Sequence, residues 1–166
     1  MFQHRQVLTM PSLSAQTRPS SLLATRTNDS AAIALQHVRA LLVSPHMEVR
    51  RPLLRTLEGL SVDVIVCSTR AQADEVLSRQ AVEIVFCDEH LPDGSYCELI
   101  HSFGRDHGIP RVVVITRTGE WELYLHATTK GAFDVIRSPW YATDVELAVI
   151  RALRDQDQAA FSRPVA

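Results

Sequence analysis

Three polar breaks follow apolar runs in this sequence, and they hold most of its chemistry. Asp88-Glu89-His90-Leu91-Pro92-Asp93-Gly94 follows Val82–Cys87, Ser44-Pro45-His46 follows Ala40–Val43, and Thr116-Arg117 follows Arg111–Ile115. If the three breaks meet in space, Asp88, His46 and His90 form a set of two imidazoles and a carboxylate. Such a set suits Zn²⁺ or another transition metal better than Mg²⁺. Cys87 beside Asp88, with His90 nearby, has the parts of a thiol nucleophile, although a cysteine that ends an apolar run is more often core. Plainer readings stand beside these. Asp88 is then a solvated loop carboxylate, Thr116 a strand-end cap, Asp93-Gly94 turn chemistry and Arg117 a solvated charge.

The elements that must position these groups are legible from Val38 onward. Ala40–Val43, Val62–Cys67, Val82–Cys87, Arg111–Ile115 and Phe133–Arg137 read as strands, the second rich in β-branched residues. Between them, Met47–Leu60 reads as a helix. Pro52 lies inside it, and proline is tolerated only in a first turn, so the start is expected near Arg51. Thr69, with Gln72 as capping-box partner, opens a second helix carrying Ala71, Val76 and Leu77 on its apolar side. Ser95–Phe103 is a third helix. Gly119–Thr129 is a fourth, ended by Lys130-Gly131 at the usual C-cap position. Thr143 with Glu146 opens the last helix, expected to end near Arg154.

Five βα units with continuous apolar strands imply a parallel, doubly wound sheet covered on both faces. Ligands of such sheets sit at the carboxyl ends of the strands. Ser44, Pro45, His46, Ser68, Asp88, Thr116 and Ser138 fall there.

The chain has 166 residues, 17 Lys+Arg, 19 Asp+Glu and a net charge of −2, with 46% hydrophobic residues. A core is affordable, and wholesale disorder is excluded. Near-neutral charge argues against nucleic-acid binding by bulk electrostatics. No apolar run is long enough to cross a membrane. Three cysteines without metal-like spacing, and no apolar leader, fit a reducing cytoplasm. Residues 1–36 are rich in Ser, Thr, Gln and Ala, with Arg5, Arg18, Arg26 and a lone acid, Asp29. They read as a disordered tail or translation from a misplaced start. A transit peptide or a docking helix through Ala31–Gln36 are the alternatives. The folded domain is expected over 37–156, with a short tail at 157–166.

At this point a resemblance is specific. Asp88-Glu89-His90-Leu91-Pro92-Asp93-Gly94 resembles the phosphoacceptor loop of response-regulator receiver domains. Val113-Val114-Ile115-Thr116 resembles that family's fourth strand with its switch Thr. Gly131-Ala132, a strand and Ser138-Pro139 resemble its Gly-Ala…Lys-Pro segment. The match spans about residues 38–155 in order. It implies a flavodoxin-like five-stranded parallel sheet, order 2-1-3-4-5, with five helices. It also implies that Asp88 accepts a phosphoryl group from a histidine kinase, beside Mg²⁺ held by two further acids, with a Thr and a Lys on the phosphoryl oxygens.

The sequence departs from that pattern. The acidic pair aligns with Ser44 and Pro45, the Lys with Ser138, and the usual small residue after the Thr is Arg117. The aromatic position of the fifth strand is Val135. Arg137 is no easy stand-in for the Lys, because adjacent strand residues face opposite sides. Mg²⁺ is therefore doubtful, with Asp88 its one remaining ligand and Glu48 or Glu89 at best partial compensation. Arg117 either shields Asp88 or contacts a phosphoryl group itself.

The resemblance implies a single-domain receiver in phosphorelay signalling, not an enzyme, with too few residues after the last helix for a DNA-binding domain. It is expected to act through contacts with a histidine kinase, a phosphotransfer protein or another regulator. A phosphorylation-independent binding module is the alternative. A small flavodoxin-like enzyme is the rival from another class. No G-x-S-x-G, P-loop or G-x-G-x-x-G supports that rival, and six glycines leave little for a phosphate-cradling loop. A homodimer through the fourth helix, fifth strand and fifth helix would use Trp121, Tyr124, Trp140 and Tyr141.

Overall fold

The computed structural model describes residues 38–103, 109–119 and 121–161. The expectations placed on residues 1–36 and on Gly108 lie outside the described residues. In chain order the elements are β1 (Arg39–Val43), α1 (Met47–Gly59), β2 (Asp63–Cys67), α2 (Arg70–Arg79), β3 (Ile84–Asp88), β4 (His90–Leu91), β5 (Gly94–Ser95), α3 (Tyr96–Ser102), β6 (Arg111–Thr116), α4 (Trp121–Thr129), β7 (Asp134–Arg137) and α5 (Ala142–Phe161). Five strands form one sheet in the order β2-β1-β3-β6-β7, parallel throughout. Counted within the sheet, this is the expected order 2-1-3-4-5, with five helices around it.

Strand alternation splits the core in two. Ala40, Leu42, Ile84, Phe86, Val113 and Ile115 face α1 and α5, meeting Val49, Leu53 and Leu57 of the former and Val145, Ala148, Val149 and Ala152 of the latter. Leu41, Val43, Val85, Cys87, Val112 and Val114 face the other side, against Ala73, Leu99 and Ala127. The central strand β3 is buried at every position, as a strand covered on both faces must be. Asp88 therefore continues the face of Ile84 and Phe86, while Cys87 turns to the opposite core.

Several local expectations need correction. Helix α1 starts at Met47, not near Arg51, with Pro52 inside it. Pro52 and the Glu48 carbonyl it leaves without a helical partner lie on the exposed side, where water can serve that carbonyl. Val49, Leu53 and Leu57, spaced four apart, are fully buried and hold the helix to the sheet. Thr69 does cap α2, accepting from Gln72 N at 3.3 Å, but the Gln72 side chain reaches Ser68 N at 2.8 Å rather than Thr69. The buried alanine of α2 is Ala73; Ala71 is exposed. Tyr141 precedes α5, its N–H donating to Asp144 Oδ2 at 2.9 Å, so the cap lies two residues before Thr143. The helix continues to Phe161, beyond Arg154.

The polar stretch after β3 is a small hairpin, not an open loop. His90 pairs with Ser95 and Leu91 with Gly94 around Pro92-Asp93. Gly94 has φ +151°, and a Cβ there would run into the Glu98 carboxylate, so this turn requires glycine. Asp93 fastens the hairpin to α2 by accepting from Arg70 N at 2.7 Å and Ala71 N at 2.9 Å. Glu98 of α3 in turn accepts from Ser95 N at 2.8 Å. Gly131, at φ +99°, ends α4 as expected.

Candidate functional site

The ends of β1, β3 and β6 converge as the strand order dictates, since β3 lies between the other two. Ser44 follows β1 and Asp88 ends β3; each lies on the face of the residue two before it, Leu42 and Phe86. The Ser44 hydroxyl donates to Asp88 Oδ2 at 2.5 Å, and His46 N donates to Ser44 Oγ at 3.1 Å. Ser44 is fully buried and Asp88 only 5% exposed. Asp88 is thus no solvated loop carboxylate. Burial pushes its carboxyl above the usual Asp value, against the opposing pull of the Ser44 hydrogen bond and the His46 and Arg117 charges.

A cavity of about 350 Å³ opens over Asp88, lined by His46, Glu89, His90, Ile115, Arg117 and Thr118. Arg117 projects from the turn after β6. Its Nη2 lies 3.3 Å from Glu48 Oε1 of α1, and both side chains are more than half exposed. His46 Nδ1 is 3.7 Å from the same Glu48 oxygen. His90 Nδ1 is 3.9 Å from Glu89 Oε1 and is mostly exposed.

Thr116 and Ser138 do not line that cavity, though Thr116 lies just behind its wall. The Thr116 hydroxyl donates to Glu89 Oε2 at 3.0 Å and accepts from Thr118 N at 3.1 Å, which pins the turn from which Arg117 projects. Ser138 N donates to Thr116 O at 2.7 Å. The Ser138-Pro139 peptide is cis. Arg137 packs on Gly119, where a Cβ would lie 2.7 Å from its Nη1, and does not line the cavity.

Sequence reasoning missed Arg50. Its Nε donates to Ser44 O at 2.5 Å, and Nη2 donates to Cys67 O at 3.2 Å and Ser68 Oγ at 2.5 Å. One cation thereby holds the ends of β1 and β2 together. The available signal was its place one helical turn after His46, from which a long basic side chain can fold back over the strand ends.

Two chemistries proposed from sequence are not carried. Among the described residues no group of three His, Cys, Asp or Glu side chains is placed to hold a metal ion. His46 and His90 turn instead to Glu48 and Glu89. Cys87 is fully buried, and burial with the adjacent Asp88 charge pushes its thiol far above the ordinary value, so it supplies no thiolate nucleophile. The donor set also fits Mg²⁺ poorly. Asp88 Oδ2 is taken by a hydroxyl proton, the Pro45 side chain offers no ligand atom, and Glu48 and Glu89 are turned to Arg117 and Thr116.

Of the aromatic residues, Trp121 (66% exposed), Tyr124 (39%) and Tyr141 (80%) are at the surface, the first two stacked with ring centroids 5.5 Å apart. Trp140 is half-buried and packs on the core formed with α1 and α5. Among the described residues no helix is long and apolar enough to cross a membrane.

No model of a known protein family matches the chain. Over 127 residues it is 29% identical to the response regulator protein PilR of Pseudomonas aeruginosa, an alignment covering 76% of this chain and 28% of PilR. It is 27% identical over 96 residues to the transcriptional regulatory protein DpiA of Escherichia coli, covering 58% of this chain and 42% of DpiA. The chain thus spans less than half the length of these relatives. Among solved structures, the signal receiver domain of a LuxO-type repressor from Vibrio parahaemolyticus superposes with a TM-score of 0.69 at 20% identity, over 77% of this chain and 98% of that one. The chemotaxis response regulator CheY4 of Vibrio cholerae gives 0.63 at 14% identity, over 69% and 98%.

Proposed function

We propose that this chain, which has the receiver-domain fold of response regulators, is a signalling module of the two-component kind that works through protein–protein contacts. Asp88 is its phosphoacceptor. The observation that carries this reading is the position of Asp88: a buried carboxylate at the end of the central strand, on the floor of a cavity open to small phosphodonors. The partners that fit are a histidine kinase, a phosphotransfer protein or another regulator. The exposed Trp121–Tyr124 stack and Tyr141 form the docking face, for a second copy or a heterologous partner. Similarity to regulators rather than metabolic enzymes supports the reading, as does the failure of the Cys87 nucleophile.

A second reading has its own observation. The Ser44 hydrogen bond occupies Asp88 Oδ2, and Glu89 occupies the Thr116 hydroxyl, so one Asp88 oxygen and the Thr116 hydroxyl are satisfied without a phosphoryl group. In that reading the domain is a constitutive binding surface.

Intact mass after incubation with acetyl phosphate, for the wild type and Asp88→Ala, separates the two. A single phosphoryl increment absent from the variant supports phosphorylation; a folded wild type with no increment supports the constitutive surface.

A further inference from the structure

The cavity over Asp88 holds the Arg117 cation beside the Glu89 carboxylate, while Ser44 and Pro45 put no acid at the end of β1. We propose that the Arg117 guanidinium supplies the charge that stabilises a phosphoryl group on Asp88, and that this step needs no metal ion. The inference rests on Asp88 being the phosphoacceptor and adds what neutralises it.

Geometry and charge argue it together. Asp88 Oδ2 accepts the Ser44 proton, while Oδ1 has no hydrogen-bond partner among the described residues and is the free nucleophile. Arg117 lines the same cavity. Its charge is felt at Asp88, where it favours the ionised carboxylate. Of the other nearby cations, Arg50 is bonded to Ser44 O, Cys67 O and Ser68 Oγ, and Arg137 lies against Gly119 outside the cavity lining. His46 shares the cavity and also favours the ionised carboxylate, but its Nδ1 faces Glu48 at 3.7 Å and its ring offers no planar two-donor fork. Arg117 is held differently. Its contact is the 3.3 Å approach to Glu48, an exposed pair of the kind that contributes little and exchanges readily. A guanidinium can leave one carboxylate oxygen and present a planar fork to phosphoryl oxygens. The turn that carries it is fixed by the Thr116 hydroxyl, which bonds Thr118 N and Glu89. Thr116 is accordingly a positioning residue here.

With acetyl phosphate as donor, Asp88 Oδ1 attacks phosphorus and the phosphorus–oxygen bond to the acetyl group breaks. Acetate leaves with the bonding electron pair. The product is an aspartyl phosphate whose non-bridging oxygens face Arg117. No proton leaves Ser44, and no further reactant is required.

The test is the rate of phosphoryl incorporation into the full chain from acetyl phosphate, followed by intact mass in EDTA and in Mg²⁺. Arg117→Ala, Arg117→Lys and Glu48→Gln are run beside the wild type. The expected result is incorporation in EDTA, slowed on the order of 10²-fold by Arg117→Ala and partly restored by Arg117→Lys. Glu48→Gln, which frees Arg117, is expected to speed it severalfold. Incorporation that requires Mg²⁺ overturns the inference and leaves Asp88 as phosphoacceptor. Incorporation in EDTA that Arg117→Ala leaves unchanged overturns the role of Arg117. No incorporation under either condition overturns both the inference and the phosphoacceptor reading.

Discussion

The Ser44 hydroxyl and the Asp88 carboxylate, 44 residues apart in sequence, share a 2.5 Å hydrogen bond that joins the ends of β1 and β3. Ser44 is fully buried and Asp88 is open only on the side of the cavity, so the bond between them is enclosed. Ser44→Ala is expected to cost about 1–3 kcal/mol, the range for leaving a buried polar group without its partner. It should also raise the Asp88 carboxyl further, since this hydrogen bond is what most opposes the rise. Urea unfolding of wild type and variant at neutral pH measures the first effect; carboxyl titration by NMR measures the second.

Asp88 also sets a pH dependence of stability. Its folded-state value lies above the unfolded one, so the folded protein binds the proton more tightly. Stability therefore falls as pH rises through the interval between the two values, and the penalty is fully present above the folded one. Asp88→Asn removes it. The variant should be more stable than wild type at neutral pH, and the difference should vanish as pH falls below the ordinary Asp range near 4. Thermal melts across pH check this; a gain that persists at pH 3 contradicts the assignment to Asp88.

Much of this arrangement was readable in the sequence, for physical reasons. A strand covered on both faces must be apolar throughout, so Ile84–Cys87 announces itself, and Asp88 marks where that run stops. The strand order then brings Ser44, Asp88 and Thr116 to one edge. Bonds between those residues were not readable. Alternation puts Ser44 and Asp88 on one face but does not say that a hydroxyl meets a carboxylate there. Arg50 gave only the weak signal of its place one turn after His46, because two of its three partners are backbone carbonyls, which every sequence has. The start of α1 was misplaced because proline's preference was weighed without the stripe Val49, Leu53 and Leu57, whose burial outweighs one lost backbone bond. The cap of α5 slipped by two residues because the helix opens after Tyr141, a residue with no capping side chain, whose N–H is met by Asp144 three residues on.

The hairpin after β3 depends on Asp93, whose two oxygens accept from Arg70 N and Ala71 N at the start of α2. These hydrogen bonds hold the Asp93 carboxyl below its ordinary value. The stability they contribute is present above the unfolded value and is lost as pH falls through the folded one. Asp93→Ala should lower the melting temperature at neutral pH and lose that effect in acid. Hydrogen exchange at Arg70 and Ala71 should quicken selectively.

Restoring an acid at position 44 tests the cation argument from the other side. Ser44→Asp sets two carboxylates together in a buried place, so without a divalent cation it should be less stable than wild type. Mg²⁺ should then stabilise the variant by about 2.7 kcal/mol at a hundredfold excess over its dissociation constant. The wild-type melting temperature should not respond to Mg²⁺. A wild-type shift of similar size shows that Asp88 finds other ligands.

The exposed aromatic face gives a prediction in which stability and binding part company. Trp121 and Tyr141 are 66% and 80% exposed, so replacing either with Ala should change stability by no more than about 0.5 kcal/mol. Large aromatics at the centre of an interface typically contribute about 2 kcal/mol or more to binding, so the double variant should lose association at least tenfold. Sedimentation equilibrium at rising concentration reads this directly for self-association. A wild type that dimerises and a folded monomeric variant place the homodimer on this face. A wild type that stays monomeric at millimolar concentration removes the homodimer, and the stack of Trp121 on Tyr124 is then a surface for a different protein.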